Sequence, residues 1–178
     1  MEKIDQNGLT EQEFLEAYRR KNYPRPYLTA DLLVFSQDGS QILLVQRKGH
    51  PFLGCWAFPG GFAKADETIE QTALRELQEE TGAELSVEEL TPVGLYSAPG
   101  RDPRGWVVSQ AYMACVSASR LRVCAGDDAA QAAWFQITGD GPDLQLARGE
   151  IRLRPEALAF DHGQILLDAR KLQSGRGR

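Results

Sequence analysis

Two short aliphatic clusters, Leu32-Leu33-Val34-Phe35 and Ile42-Leu43-Leu44-Val45, lie inside longer runs rich in β-branched and aliphatic residues, from Tyr27 to Phe35 and from Gln41 to Arg47. Between them Ser36-Gln37-Asp38-Gly39-Ser40 consists of turn formers, so the pattern predicts a β-hairpin. Upstream, Thr10-Glu11-Gln12-Glu13 has capping-box spacing, and Phe14, Leu15, Ala17 and Tyr18 follow at helical intervals. That predicts a helix over 10–21, ended before Pro24, within an N-terminal helical extension of residues 1–22. Gly49 to Gly61 is a connection punctuated by glycine and proline. A helical pattern then runs from Thr68 to Thr81 and stops at Gly82, where a left-handed residue is wanted.

Residues 84–97 and 106–116 read as further strands. The loop joining them, Ser97 to Gly105, holds Pro99, Gly100, Pro103 and Gly105, which restrict its backbone, and Arg101, Asp102 and Arg104, which give it polar reach. Asp161-His162-Gly163-Gln164 again has capping spacing and opens a final helix through Ile165, Leu166, Leu167 and Leu172. The tail 173–178 is expected to fray. Helices at both ends and in the middle, with strand pairs between them, describe an α/β chain of the α+β layer type rather than a regular βαβ series.

At 178 residues, with 42% hydrophobic and 8% aromatic positions, the chain has material for one domain spanning 1–178 that buries roughly 70% of its unfolded surface. Whole-chain disorder is excluded on that composition. Its 20 basic and 25 acidic residues leave a net charge of −5. Nucleic acid and anionic membranes select basic surfaces, so neither is the expected partner, whereas a metal-bound small ligand is compatible. The aliphatic clusters fall far short of the ~18 residues needed to cross a bilayer. The first residues have neither a basic nor an apolar signal region, which leaves the cytoplasm as the expected location. Cys55, Cys115 and Cys124 are odd in number and form no C-x-x-C pair, so they read as ordinary thiols.

The chemistry is concentrated in Gly61, five residues, Glu67, seven residues, then Arg75-Glu76-Leu77-Gln78-Glu79-Glu80-Thr81-Gly82-Ala83. At about 100° per residue, Glu79 lies about 60° behind Glu76 and Glu80 about 40° ahead of it, so three carboxylates share one wedge of a helix. Like charges at i, i+3 and i+4 repel, and a cation among them relieves the repulsion. Hard oxygen ligands select Mg²⁺ or Mn²⁺. Taken bare, such a run is more often a solvated acidic face. Here it follows the tight Pro59-Gly60-Gly61 turn, Arg75 offers a charge partner to Glu67 or its neighbours, and Ile69, Ala73, Leu74 and Leu77 form an apolar strip that docks the helix.

The whole pattern matches the Nudix box, G-x5-E-x7-R-E-U-x-E-E-x-G-U with U aliphatic, and the chain resembles a Nudix hydrolase. Eight of its nine fixed positions agree strictly, and the ninth, Ala83, is smaller than the usual Ile, Leu or Val. The resemblance runs from about Tyr23 to about Leu172. Tyr23-Pro24-Arg25-Pro26-Tyr27, Trp56 to Phe62, Pro99 to Gly105 and Leu158-Ala159-Phe160-Asp161-His162 look like the ADP-ribose pyrophosphatase branch, as does Pro99 sixteen residues beyond Ala83.

The resemblance implies a Nudix-type α/β/α sandwich on a mixed β-sheet, and an enzyme that hydrolyses a nucleoside diphosphate linked to another group, with ADP-ribose giving AMP and ribose 5-phosphate. It implies Mg²⁺, with Mn²⁺ as substitute, held by the Gly60 carbonyl and the Glu76 and Glu80 carboxylates, while Glu79 takes a further metal or orients water. Glu67, Arg75, Glu79 and Glu80 are the implied catalytic set. The general base is Glu80 or one of Asp102, Asp127, Asp128 and Glu150. Arg47, Arg101 and Arg104 are candidates for phosphate or ribose, with Pro99 in the same loop; Phe62 or Trp56 is the candidate for stacking on adenine, with core packing the alternative for Trp56. His162 is either a substrate contact or a capping-region residue. A homodimer accords with the branch. Rival substrates are a nucleotide sugar, NADH or an oxidised nucleotide, and the rival class is a ligand-sensing regulator, against which stand the intact box, the acidic balance and the sixteen residues after His162.

Overall fold

The computed structural model describes residues 3–117 and 129–175; Cys124, Asp127, Asp128 and the tail beyond Gly175 lie outside the described residues. The order of elements is α1 (Glu11–Arg20), β1 (Tyr27–Ser36), β2 (Gln41–Arg47), β3 (Trp56–Ala57), β4 (Gly60–Phe62), α2 (Ile69–Thr81), β5 (Thr91–Tyr96), β6 (Val107–Val116), β7 (Ala129–Thr138), β8 (Gln145–Arg148), β9 (Ile151–Leu153) and α3 (His162–Gly175). The main sheet path is β5-β6-β1-β2-β7-β8-β9, with β3 on β2 and β4 on β1. The β1–β6 pair is parallel and the others are antiparallel, so the sheet is mixed.

Alternation along β1 assigns the two faces. Ala30, Leu32 and Val34 meet Ala73 and Leu77 of α2, whereas Leu33 and Phe35 meet Ile165, Leu166 and Ala169 of α3, all of them fully buried. One helix on each face of a single sheet is the α/β/α sandwich that the resemblance implies. Ala83 is buried in the α2 layer beside Leu77 and Tyr112, so the small ninth box residue sits in a packed site.

The predicted hairpin is present, with Phe35 opposite Ile42, and its turn is held by Asp38, which accepts from the Ser36 hydroxyl and the Ser40 amide. Helix α2 has the expected ends: Thr68 and Gln71 form a capping box, and Gly82 takes φ 70° while its amide donates to the Gln78 carbonyl. Four expectations need correction. The predicted strand over 84–97 is one 3-10 turn, Val87–Glu89, followed by β5. The connection Gly49–Gly61 contributes two short strands, because β3 and β4 find partners in β2 and β1. The final helix continues through Gly175, so fraying does not begin at 173. Strands β7, β8 and β9 were not legible in the pattern. Among the described residues no helix is long and apolar enough to cross a membrane.

Candidate active site

A cleft of about 350 Å³ opens where the C-terminal part of β2, the turn before β4, the loop 97–105 and the start of α3 converge. Gly60, Phe62, Glu80, Arg47, Arg101 and Arg104 all line it. Residues distant in sequence meet there because β4 adds to β1, placing Gly60 opposite Asp31 and Phe62 opposite Thr29, while α2 packs below β1 and presents Glu80 to the same turn.

Glu80 accepts a hydrogen bond from the Gly60 amide at 3.1 Å. Burial pushes its carboxyl up to about 8, with Glu76 and Asp31 adding to the rise against the pull of the Gly60 amide and Arg47. Glu76 lies against Gly61, where an added Cβ would overlap its carboxylate, and burial raises its pKa in spite of Arg75. Gly60 is more tightly constrained, since a Cβ there would overlap the Ala30 carbonyl and the Asp31 backbone. Close approach of backbone therefore requires glycine at 60, whereas at 61 it is the Glu76 carboxylate that would have to move.

Arg75 is the hub of the acidic face. Its Nε and Nη2 donate to the two Glu67 oxygens at 2.9 and 2.7 Å, Nη1 donates to Glu76 at 2.6 Å and Glu79 at 3.0 Å, and Nη2 also reaches the Phe62 carbonyl. These contacts, with the Lys64 amide and the Thr72 hydroxyl, hold the Glu67 carboxyl down at about 2. The expected Arg75–Glu67 pair is thus present. In this arrangement the guanidinium supplies the positive charge among the carboxylates, and among the described residues no three carboxylate, imidazole or thiol groups converge as a ready-made metal cage. Glu80 alone of the three wedge carboxylates makes no bond to Arg75.

The arginines divide into two kinds. Arg101 has a side chain only 4% exposed and forms a bidentate pair with Asp161 at 2.8 and 2.5 Å, so its guanidinium is spent inside the protein. Arg104 is 39% exposed, is bonded to Asp102, and lies over the Phe62 ring at 4.7 Å and the Phe160 ring at 5.4 Å. Arg47 covers Phe160 from another direction at 4.9 Å. Rings and guanidinium planes therefore alternate at the cleft mouth, an arrangement suited to a planar base and to phosphate.

Other candidates fall elsewhere. Trp56 is buried and packs edge-on against Phe135 at 4.7 Å, the core alternative. Pro99 is exposed and does not line the cleft. Glu150 is exposed between β8 and β9. Asp102 does line the cleft, but it is buried and gripped by Arg104, whose bonds overcome burial and hold its carboxyl low.

His162 stands at the start of α3, as expected of a capping-region residue, and it also lines the cleft. It is buried, its Nδ1 accepts from the Phe58 amide at 3.0 Å, and its Nε2 faces Asp31 Oδ1 at 3.5 Å. Asp161 does not cap α3, because both of its oxygens bind Arg101. Asp31 itself escaped sequence reasoning. Burial works to raise its pKa, yet His162, the Ser109 hydroxyl and Arg101 together hold it lowered. The available signal was a lone carboxylate beside Leu32-Leu33-Val34-Phe35 in a strand that is otherwise core.

Comparison with known proteins agrees with this geometry. The NUDIX domain family profile matches residues 26–146. The ADP-ribose pyrophosphatase of Methanocaldococcus jannaschii is 37% identical over 161 residues, 90% of this chain and 82% of that protein. The ADPR responsive transcriptional repressor NtrR of Acinetobacter baylyi is 39% identical over 116 residues, 62% of this chain but 45% of the repressor. Among solved structures, a MutT/nudix family protein from Enterococcus faecalis superposes with a TM-score of 0.77 at 36% identity, covering 90% of this chain and 68% of that one. The NUDIX domain of Shewanella oneidensis NrtR, solved in complex with ADP ribose, gives 0.72 at 31% identity, covering 93% and 99%. Box, cleft, sandwich and relatives agree, and the chain belongs to the Nudix family.

Proposed function

We propose that this chain is a divalent-metal-dependent Nudix pyrophosphohydrolase whose substrate is ADP-ribose, cleaved to AMP and ribose 5-phosphate, and that residues 1–178 act as a single catalytic domain. The observation that carries the reading is one cleft lined both by the half-buried Glu80 carboxylate, held against Gly60, and by the Arg47–Phe160–Arg104–Phe62 stack. Acid and cation side chains thereby face one space, as a metal-bound diphosphate and its nucleoside would require. The M. jannaschii ADP-ribose pyrophosphatase, aligned over most of both chains, supports the substrate.

The donor set fits a hard cation: carboxylate oxygens from Glu76 and Glu80 close on two glycines that leave backbone accessible. Glu76, Glu80 and the Gly60 carbonyl would hold Mg²⁺, or Mn²⁺ in its place, with Glu79 at a further position. A bound cation of this kind polarises phosphoryl oxygens and lowers the pKa of an attacking water. Arg75, kept in place by Glu67, would have to yield its bond to Glu76 for that carboxylate to hold the metal. Glu80 is preferred as the base over Asp102, which is locked by Arg104, and Glu150, which lies outside the cleft, while Asp127 and Asp128 lie outside the described residues. Arg104 and Arg47 bind the negative substrate that a −5 protein would otherwise repel.

The test is product analysis after incubation with Mg²⁺ and ADP-ribose, NADH, UDP-glucose, ADP-glucose and nucleoside triphosphates. AMP and ribose 5-phosphate formed preferentially from ADP-ribose is the expected result; preference for another compound removes the substrate assignment. A second reading, an ADP-ribose-sensing regulator, is favoured by the NtrR relative, of which this chain spans less than half. It predicts ADP-ribose binding with no turnover.

A further inference from the structure

The segment Phe160-Asp161-His162 takes no part in the roles assigned above except through the Phe160 ring, yet each of its three side chains braces a different wall of the cleft. Phe160 has φ 54°, a left-handed conformation uncommon for a residue with a side chain, two positions before the start of α3. Its ring carries Arg47 and Arg104. Asp161 binds Arg101 with both oxygens and so anchors the loop 97–105. His162 stacks on Phe58 at 4.7 Å with an interplanar angle of 3°, accepts the Phe58 amide, and faces Asp31.

Asp31 joins these arms from below. It accepts from the Ser109 hydroxyl of β6, lies 3.9 Å from Arg101, faces His162, and stands opposite Gly60 in the β1–β4 pairing. Because the Phe58 amide donates to Nδ1, the ring proton of neutral His162 is on Nε2, directed at the carboxylate. Phe58 immediately precedes Pro59 and Gly60, so the imidazole sets the approach of the turn that meets Glu80.

We propose that Asp31, Asp161 and His162 are positioning residues for the hydrolytic site, His162 and Asp31 fixing the Gly60 turn and Asp161 fixing the substrate loop through Arg101. The proposal rests on the functional reading above, which it deepens. It separates two effects that a merely structural role would leave together: the His162–Asp31 arm governs metal holding and turnover, whereas the Asp161–Arg101 arm governs substrate affinity.

The test uses His162→Asn, His162→Gln and Asp161→Asn in the full chain. Asparagine places an oxygen where Nδ1 accepts but cannot reach Asp31; glutamine places an amide near Nε2 but leaves the Phe58 amide unpaired. Each His162 variant is expected to lower kcat for ADP-ribose by about tenfold or more, and to weaken Mn²⁺ binding, read by titration calorimetry without substrate, by roughly 10-fold, within the range for residues that orient metal ligands. KM should stay within about threefold. Asp161→Asn is expected to raise KM by about tenfold, with kcat and Mn²⁺ affinity near wild type. Thermal melts identify the folded variants, and Asp31→Asn replaces any His162 variant that does not fold. Wild-type kcat and Mn²⁺ affinity in the folded His162 variants, or loss of kcat and KM in equal proportion in all three, would overturn the proposal. Absence of ADP-ribose turnover by the wild type would sink the functional reading instead, and Mn²⁺ affinity would still decide the positioning role.

Discussion

Two arginines three positions apart, Arg101 and Arg104, show how little a residue type says before its partners are known. Arg104→Ala removes a guanidinium held over two rings, so KM for ADP-ribose should rise, and it also strips the buried Asp102 of its partner, so the melting temperature should fall as well. Arg101→Ala leaves Asp161 without its partner and weakens the surroundings of Asp31, a loss on the order of 3 kcal/mol for a broken buried pair. An unchanged KM in a folded Arg104→Ala variant would remove that guanidinium from the substrate site. Glu67 supplies a pH test. Its folded pKa, about 2, lies below the ordinary 4.5, so its contribution to stability is present above about pH 4.5 and is lost as pH falls toward 2. The melting-temperature gap between wild type and Glu67→Gln should therefore be widest near pH 6 and close by pH 2. Most box residues were legible because their spacing is rigid on a helix. Asp31 was not, because its partners come from β6, the loop 97–105 and α3, and no local pattern announces them.

At the scale of elements, α1 has a complete capping box but buries none of its residues, and Phe14, Leu15 and Tyr18 are 46%, 40% and 42% exposed. Local signals alone form this helix, which explains why it was predicted nearly to the residue. Its apolar face is uncovered in the single chain, and the homodimer expected from the sequence would have to account for it. Removal of residues 1–22 should leave the melting temperature of the remaining domain nearly unchanged and yield a monomer by light scattering; an unaltered dimer would place the interface elsewhere. Strands β7 to β9 present the opposite case. The run Ala129–Thr138 is dominated by alanine and glutamine, residues with weak strand preference, and β8 and β9 have four and three residues. Their pairing with β2 and with each other overrides that composition. The same tertiary choice turns the glycine-rich stretch before α2 into β3 and β4.

For the whole molecule, the net charge of −5 favours the proposed metal dependence, since a diphosphate would need cations supplied locally, and Arg75 already neutralises part of the acidic face. Chelation with EDTA should accordingly abolish turnover while leaving the circular dichroism spectrum unchanged, and Mg²⁺ should restore activity. Glu80→Gln should reproduce the chelated state, with kcat down on the order of 10²–10⁴-fold at saturating Mg²⁺. Residual activity near wild type would exclude Glu80 from the site. The α+β layer class was legible from the helical and strand patterns and the α/β/α order from the resemblance, whereas the depth of the cleft was not legible, since it depends on where α3 begins relative to β4.

The Phe58–His162 hydrogen bond joins residues 104 positions apart. A ribosome translating this chain releases the complete acidic motif long before it reaches α3, so a nascent chain carries every box residue without the histidine that fixes the turn beside it. The last helix to be synthesised supplies the bonds to Tyr96, Gly39 and Phe58, so the turn beside Glu80 gains its imidazole partner only once the chain is nearly complete.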